Sequence, residues 1–310
     1  EFSFDASYGF QENINKMDLM NPYEFVKYQL ELDPTPVSST GFKSPAEIYL
    51  ADGKTLDYYK GVNGIDWQDK VTRVAPMKNY NLSIRGGNEA TKYAFSTSLV
   101  DQEGILINSN YKRYQGRLVI DHTINKKFKI GVNTNFSQLE RTGISPSAST
   151  GSSTTNIMVS VWGYKPVNGA TSNEDGLFDP DINPANDYRV NPFLNLNNLY
   201  RFSTTQNLIT NAYLEYSILP SLKLRISNGV IENRGRSDVF NNSNTYYGRP
   251  GNSNGVNGSV SYSESSNWLN ENTLTWKTQF KRRHNLDVLG GFTVQKQTSK
   301  SYGRSANLIP

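Results

Sequence analysis

One acidic stretch has the oxygen spacing of a calcium-binding loop. Asp179, Asp181 and Asn183 place a side-chain oxygen at every second position, as the first half of an EF-hand loop does. Pro184 stands where that loop needs a glycine, and Val190 stands where it needs a bidentate glutamate. The sequence therefore excludes an EF-hand and leaves open an irregular calcium site in the same loop.

Groups suited to nucleophilic, acid–base or thiolate chemistry are scarce. The chain has no Cys and 2 His, which excludes disulfides and thiolate metal centres. His122 follows Asp121 at the end of a predicted strand, and His284 closes a basic turn that starts at Lys281. Both positions are typical of solvated turn residues. We therefore predict neither an enzyme nor a bound cofactor, and no metal site outside the loop above.

Charged side chains of both signs recur at alternate positions of the predicted strands, which would place them on one wet face of a sheet. These residues are Arg113, Arg117, Asp121, Lys129, Glu215, Arg225 and Lys277. If the sheet closes around a channel, they face its lumen. An open, solvated sheet would carry the same residues, so this pattern alone does not distinguish the two structures.

Four aromatic residues in predicted loops, Trp162, Tyr164, Tyr246 and Tyr247, are candidates for ligand contact. Aromatic rings stack on sugar rings or on peptide side chains. The same rings could equally pack the loops that carry them, and that alternative stays open.

The composition is polar and rich in aromatic residues. Hydrophobic residues make up 36% of the 310 residues, although aromatic residues reach 12%. This combination indicates either partial disorder or strands with one apolar and one wet face. The net charge of +4 is small and spread along the chain, so a nucleic-acid partner is not expected.

Alternation of apolar and polar residues is the main structural signal, because successive strand residues point to opposite faces. In 127–138, for example, Phe128, Ile130 and Val132 alternate with Lys127 and Lys129. Nine such segments are predicted: 2–10, 79–86, 91–101, 112–123, 127–138, 206–218, 222–232, 268–280 and 285–298. They predict an all-β, antiparallel up-and-down meander.

The connections between these segments alternate strictly between short and long. The long ones are 11–78, 102–111, 139–205 and 233–267. All short turns therefore lie at one edge of the meander and all long loops at the other, as in outer-membrane barrels. The predicted strands also have about the length that a tilted strand needs to cross a bilayer. We predict part of a large transmembrane β-barrel, with 139–205 and 233–267 as long external loops.

The first long connection, 11–78, carries helix-start signals and is predicted to be a helical external insert. Asn21, Ser44 and Asp66 are N-cap residues, and the first two are followed by proline and then by glutamate at the third helical position. These are capping-box patterns with proline in the first turn.

Residues 66–133 also carry an ordered set of short motifs. The motifs are Asp66–Asp69, Arg73–Pro76, Asn79–Ser83, Gly86–Tyr93, Asp101–Ile105, Tyr111–Tyr114 and Lys127–Asn133, flanked by Met17–Phe25, Asn191–Phe193 and Tyr213–Tyr216. In this order and spacing the chain closely resembles the SusC/RagA-like TonB-linked outer-membrane proteins, which are nutrient importers of Gram-negative bacteria. The resemblance covers most of the chain outside 139–190 and 235–265.

The resemblance implies a 22-stranded barrel that holds a plug and is energised by a TonB complex. It also implies a SusD-type surface lipoprotein partner, contact with membrane lipid, and oligosaccharide or sometimes peptide cargo. Because plug and TonB box are absent and nine strands cannot close such a barrel, residues 1–310 are expected to be an internal piece of the barrel of a longer chain. Two other classes remain: a soluble extracellular β-sandwich or adhesin that binds glycans through its loops, and a passive porin without a plug.

Overall fold

The computed structural model describes residues 1–36, 43–144, 157–167, 190–281 and 283–309. Their strands form one nine-stranded antiparallel sheet in which each strand pairs with its neighbours in chain order. The strands are β1 (Phe2–Gln11), β2 (Ala75–Gly87), β3 (Thr91–Glu103), β4 (Asn110–Thr123), β5 (Phe128–Thr142), β6 (Leu199–Leu219), β7 (Leu222–Asn241), β8 (Asn257–Phe280) and β9 (His284–Ala306). The predicted up-and-down meander is confirmed.

The helices lie in the long connections. They are α1 (Pro22–Leu32), α2 (Pro45–Tyr49), α3 (Trp67–Val71), α4 (Ile157–Gly163) and α5 (Pro192–Asn198), with 3-10 turns at Ala51–Gly53 and Leu56–Gly61. Asn21 and Ser44 each form a complete capping box, and Asp66 accepts the backbone N–H groups of residues 68 and 69. Within the described residues, no helix has the length and hydrophobicity needed to cross a lipid bilayer.

Several strands continue beyond their predicted ends. β5 runs to Thr142 and β6 starts at Leu199, so the connection predicted as 139–205 is shorter than expected. β7 runs to Asn241 and β8 starts at Asn257, which shortens the predicted 233–267 connection in the same way. The physical reason is that apolar residues are sparse in these extensions, with only scattered ones such as Phe202, Val239 and Val260. The alternation that marks a strand in the sequence is therefore weak, although the backbone ladder continues.

The pairing register divides the sheet into two faces. One, here called the apolar face, carries Leu118, Val132 and Leu214; the other, the polar face, carries Arg117 and Glu215. Antiparallel partners point to the same side of a sheet, so the assignment follows across all nine strands.

On the apolar face, a band about nine residues tall starts at the short turns. In β5 it contains Phe128, Ile130, Val132, Thr134 and Phe136, and in β9 it runs from Leu286 to Val294. Nine residues span about 30 Å along a strand, or somewhat over 20 Å across a bilayer at the usual tilt. Farther from the short turns, beyond the band, the same face of the sheet carries polar residues. The first of these on each strand, from β2 to β9, are Lys78, Asp101, Lys112, Gln138, Gln206, Glu232, Ser266 and Lys296. We call this band the apolar band.

Small polar residues interrupt the apolar band near its middle, and they bond to one another. The hydroxyls of Thr134 and Thr210 are 2.7 Å apart. Asn270 donates to the Asn228 side-chain oxygen at 2.8 Å, and Asn272 donates to that of Asn270. These bonds lower the cost of placing hydroxyls and amides on this face.

Buried hydrophobic clusters lie among the connections rather than on the sheet. Phe25, Val26, Ile48, Tyr49, Tyr59 and Val167 form one cluster. Trp67, Val71, Leu106, Ile157, Val161 and Leu196 form a second, which joins α3, α4 and α5 to the β3–β4 connection. The apolar side chains of the strands are instead exposed, among them Phe4, Phe95, Val132, Trp276 and Phe292.

Candidate functional site

The polar face collects all seven charged residues predicted to line a channel. The register places Arg113, Arg117 and Asp121 of β4 beside β5 residues of the same face, which include Lys129. Lys129 pairs with Glu215, Glu215 pairs with Arg225, and Lys277 shares the face through β8. The seven residues therefore share one face of the sheet. That they face a lumen stays a prediction at this point.

Charges on the polar face concentrate near the short turns. Glu215 lies 3.4 Å from the Lys223 ammonium and 4.0 Å from the Arg225 guanidinium. The Tyr213 hydroxyl donates to Asp121 at 2.6 Å, and the Arg225 guanidinium stacks 4.0 Å from the centre of the Tyr213 ring. Oppositely charged and aromatic groups therefore tie β4, β6 and β7 together across β5.

Higher on the polar face, neutral amides surround Arg117. A shallow depression there is lined by Gln115, Asn133, Asn135 and Asn211 together with Arg117. Amides donate and accept hydrogen bonds without carrying charge. This part of the face can therefore bind polar, uncharged groups of a solute or of another part of the protein.

Gly131 makes room for the Tyr213 ring. A Cβ atom at position 131 would overlap that ring and would lie 2.7 Å from Asp121 Oδ1. The ring cannot move away freely, because its hydroxyl bonds Asp121 and Arg225 covers its face. The glycine is therefore needed for close packing across the strand.

We expect Gly131→Ala to destabilise the folded barrel by about 1–3 kcal/mol, because it forces a side chain into filled space. Gly116→Ala is the matched control, since no atom lies within 4 Å of a Cβ at that position on the adjacent strand. The measurement is the temperature at which the full-length protein loses its folded mobility in a detergent gel. Equal shifts for the two variants would show that Tyr213 is not held where the structure places it.

At the end of the sheet opposite the short turns, a cleft of about 850 Å³ opens between residues 16–22, α1, α3 and residues 162–166. We call it the aromatic cleft. Its lining includes Met17, Leu19, Met20, Phe25, Tyr28, Trp67, Trp162 and Tyr164. Trp162 is 40% exposed, whereas Tyr164 packs edge-on against Trp67 with ring centres 5.2 Å apart.

The polar rim of the aromatic cleft is held by Lys16. Its ammonium forms ion pairs with Asp66 and Asp69, which raise the pKa of Lys16. Partial burial acts to raise the pKa of Asp66, but the bond from Lys16 and the backbone donors of residues 68 and 69 outweigh it and lower that pKa. Gln68 completes the link by bonding both backbone groups of Met17 at 2.9 Å.

The other two predicted aromatic residues lie elsewhere. Tyr246 and Tyr247 belong to the β7–β8 connection and pack against each other edge-on at 5.2 Å. The Arg249 guanidinium covers the Tyr246 ring at 4.2 Å, and the Tyr246 N–H bonds the Asn195 side chain of α5. They support the loop and do not line the aromatic cleft, so the four predicted aromatics are not one site.

Sequence reasoning missed Met17, Met20 and Tyr28 as lining residues. The first two are 51% and 46% exposed, and their positions just before the Asn21 cap could have drawn attention to them. The calcium candidate formed by Asp179, Asp181 and Asn183 lies outside the described residues.

Comparison with known proteins agrees with this architecture. The chain is 27% identical over 295 residues to TonB-dependent receptor P3 of Formosa agariphila, a match that covers 94% of this chain and 26% of that protein. It is 27% identical over 140 residues to TonB-dependent receptor SusC of Bacteroides thetaiotaomicron, covering 42% of this chain and 12% of SusC. No model of a protein family matches the chain.

Solved structures of the RagAB peptide importer have the same fold. The 'open-open' state superposes with a TM-score of 0.69 at 18% sequence identity, and the 'closed-closed' state with 0.67 at 18%. Each match covers 98% of this chain and 35% of that chain. The chain thus spans about a quarter of the first curated relative and about a third of the similar structure.

The relatives are named as receptors, in line with the prediction of a protein that is not an enzyme. By sequence similarity and by fold together, the chain is similar to SusC/RagA-like TonB-linked proteins and matches part of their β-barrel.

Proposed function

We propose that this chain forms part of the barrel wall of a TonB-dependent importer in the outer membrane of a Gram-negative bacterium. The observation that carries the proposal is the apolar band: exposed apolar side chains cover one face of a single sheet to bilayer height, and the opposite face is polar. A water-soluble protein rarely exposes so large an apolar surface. In lipid this surface is buried, and the polar face lines a lumen.

The described strands argue against the β-sandwich or adhesin alternative. They belong to one sheet, whereas a sandwich packs the apolar faces of two sheets together. β1 and β9 are the edges of this sheet, and each offers a row of backbone groups to a further strand. In the complete barrel those edges pair with additional strands around a lumen wide enough for a plug.

The import cycle we propose uses both ends of the wall. The long connections, with the aromatic cleft, form the outer vestibule, and a SusD-type surface lipoprotein covers it. Trp162 supplies an exposed ring against the cargo, which is an oligosaccharide or a peptide. The charges near the short turns contact the plug, which the TonB complex moves. RagAB is a peptide importer, which supports including peptides among the cargo.

Uptake in living cells tests this function. Cells that lack the protein are complemented with the wild type or with Trp162→Ala and are offered labelled oligosaccharides and labelled peptides. We expect uptake of one class to depend on the protein and on an intact TonB complex, and to fall several-fold with Trp162→Ala. A surface lipoprotein should co-purify with the wild type. Uptake that persists without TonB would support a passive porin, and release of the protein into the medium would support an adhesin.

A further inference from the structure

Four arginines lie on the polar face, in its half toward the long connections. They are Arg113 and Arg117 of β4, Arg141 of β5 and Arg201 of β6. In the register, Arg141 is a diagonal neighbour of both Arg113 and Arg201, and diagonal residues on one face lie about 7–8 Å apart. We call these four residues the arginine row. Its strands are interior ones, each paired on both sides.

The surroundings of the arginine row on the sheet are neutral. The cross-strand partners are Val100 and Leu139 for Arg113, Ser96 and Asn135 for Arg117, and Tyr111 and Ser203 for Arg141. Among the described residues, no carboxylate lies within 4 Å of these three guanidinium groups. The polar-face acids of β2 to β8 are Asp121, Glu215 and Glu271, all nearer the short turns, and Asp5 lies three strands away on β1.

Cations on the opposite face are paired instead. Lys112, which is next to Arg113 in the chain, lies 3.5 Å from Asp101. On β7, Arg234 pairs with Glu232 and Arg236 pairs with Asp238. Positive charge that the sheet itself does not neutralise is therefore concentrated on the polar face.

A hollow of about 310 Å³ adjoins Arg141, and it is lined by Gln102, Ser109, Asn110 and Tyr111 as well. The Arg141 guanidinium lies 5.9 Å from the centre of the Tyr111 ring. Arg141 is exposed, and in the described part of the chain its N–H groups have no hydrogen-bond partner. They can therefore donate to an anion that enters the hollow.

The end of the row nearest the long connections is fixed by Arg201. Its guanidinium donates to the carbonyl oxygens of Tyr200 and Phe240 and to the side-chain oxygen of Asn241. All three acceptors are neutral, so Arg201 keeps its positive charge uncompensated. Arg141 and Arg201 lie farther from the short turns than the apolar band does, on the side of the proposed outer vestibule.

We propose that the arginine row binds the anionic groups, carboxylate or sulfate, of an acidic oligosaccharide that enters the lumen. The inference rests on the proposed function and deepens it by naming the class of cargo. Guanidinium groups bind such oxyanions through two parallel hydrogen bonds. The amides around Arg117 donate to and accept from sugar hydroxyls. These strands have no free edge that could pair with a peptide backbone, which favours a saccharide over an acidic peptide.

Binding to purified full-length protein in detergent tests the proposal. The probes are labelled oligogalacturonate and sulfated galactan oligosaccharides, each with its neutral counterpart, methyl-esterified or desulfated, and a glutamate-rich peptide. We expect the wild type to bind a charged saccharide at least ten-fold more tightly than its neutral counterpart. The double variant Arg113→Gln and Arg141→Gln should weaken that binding by about ten-fold or more, because each hydrogen bond to a charged group contributes on the order of ten-fold in affinity.

The matched control is the double variant Arg234→Gln and Arg236→Gln, which removes two arginines from the opposite face of the sheet. We expect it to bind the charged saccharide as the wild type does. The proposal is overturned if no charged saccharide binds, if neutral saccharides or the acidic peptide bind better, or if the control loses as much affinity. It is also overturned if the Arg113 and Arg141 variant keeps its affinity, as it would if these arginines served only to hold the plug.

Uptake by living cells is scored separately. If the wild type takes up none of the probes in a TonB-dependent way, the proposed function is wrong and this inference falls with it. If TonB-dependent uptake is found for neutral saccharides or peptides alone, the proposed function holds and only the assignment of acidic cargo is wrong.

Discussion

Val132→Lys is expected to destabilise the barrel by about 2–4 kcal/mol, the cost of a lysine at the middle of a bilayer. Val132 is the central residue of the apolar band on β5 and is 38% exposed on the isolated sheet. A lysine there must either lose hydration or bend its chain to a distant headgroup layer. The same exposed valine would tolerate lysine with little cost if the face met water.

Asn133→Lys provides the control at the same height. Asn133 is the next residue of the same strand and belongs to the polar face, so a lysine there stays in a wet environment. We expect a change below about 1 kcal/mol. The measurement is the urea midpoint for folding of full-length protein into lipid vesicles. If the two variants unfold at the same urea concentration, the assignment of lipid to the apolar face is wrong.

Trp67→Ala is expected to cost about 3–5 kcal/mol of local stability, as large-to-small changes of buried tryptophan do. Trp67 is 5% exposed, packs in the cluster with Val71 and Leu106, and donates its indole N–H to the Lys165 carbonyl at 2.8 Å. Its removal leaves a cavity beneath the aromatic cleft and removes the hydrogen bond to the Lys165 carbonyl. The connections should loosen while the strands remain paired.

Limited proteolysis of full-length protein in detergent separates these effects. Trp67→Ala should speed cleavage within 43–74 and 157–167 at least ten-fold, and the gel mobility of the folded barrel should not change. Trp162→Ala, which removes an exposed ring from the same cleft, should leave cleavage near the wild-type rate although it lowers uptake. Loss of barrel mobility in Trp67→Ala would mean that the connections and the wall unfold as one unit.

Local signals predicted much of this fold. The alternation in 127–138 fixed the two faces of β5, and the caps at Asn21, Ser44 and Asp66 located three helix starts. The seven charged residues share the polar face because antiparallel register preserves faces from strand to strand. These predictions succeeded because each depends on residues close in sequence or on a period of two.

Features that depend on residues far apart in the sequence could not be predicted. The extension of β7 beyond Glu232 carries no hydrophobic pattern, because it lies above the apolar band and consists mainly of polar residues. The aromatic cleft brings Met17 beside Trp162, and no local rule predicts that contact. The motif resemblance pointed to similar proteins without locating the cleft, since motifs show the order of residues along the chain and not which residues lie close together.

The length of the last four strands has a mechanical consequence. β6 to β9 are 20–24 residues long, about twice the length that the bilayer requires. Ladder hydrogen bonds run perpendicular to the strands, so a pull along the strand axis loads every bond of a pair in parallel, whereas peeling a strand sideways would break the bonds one at a time. In the proposed barrel, a force applied through the lumen is thus resisted in shear by a tall wall, and we expect deformation to fall on the connections and on the contents of the lumen.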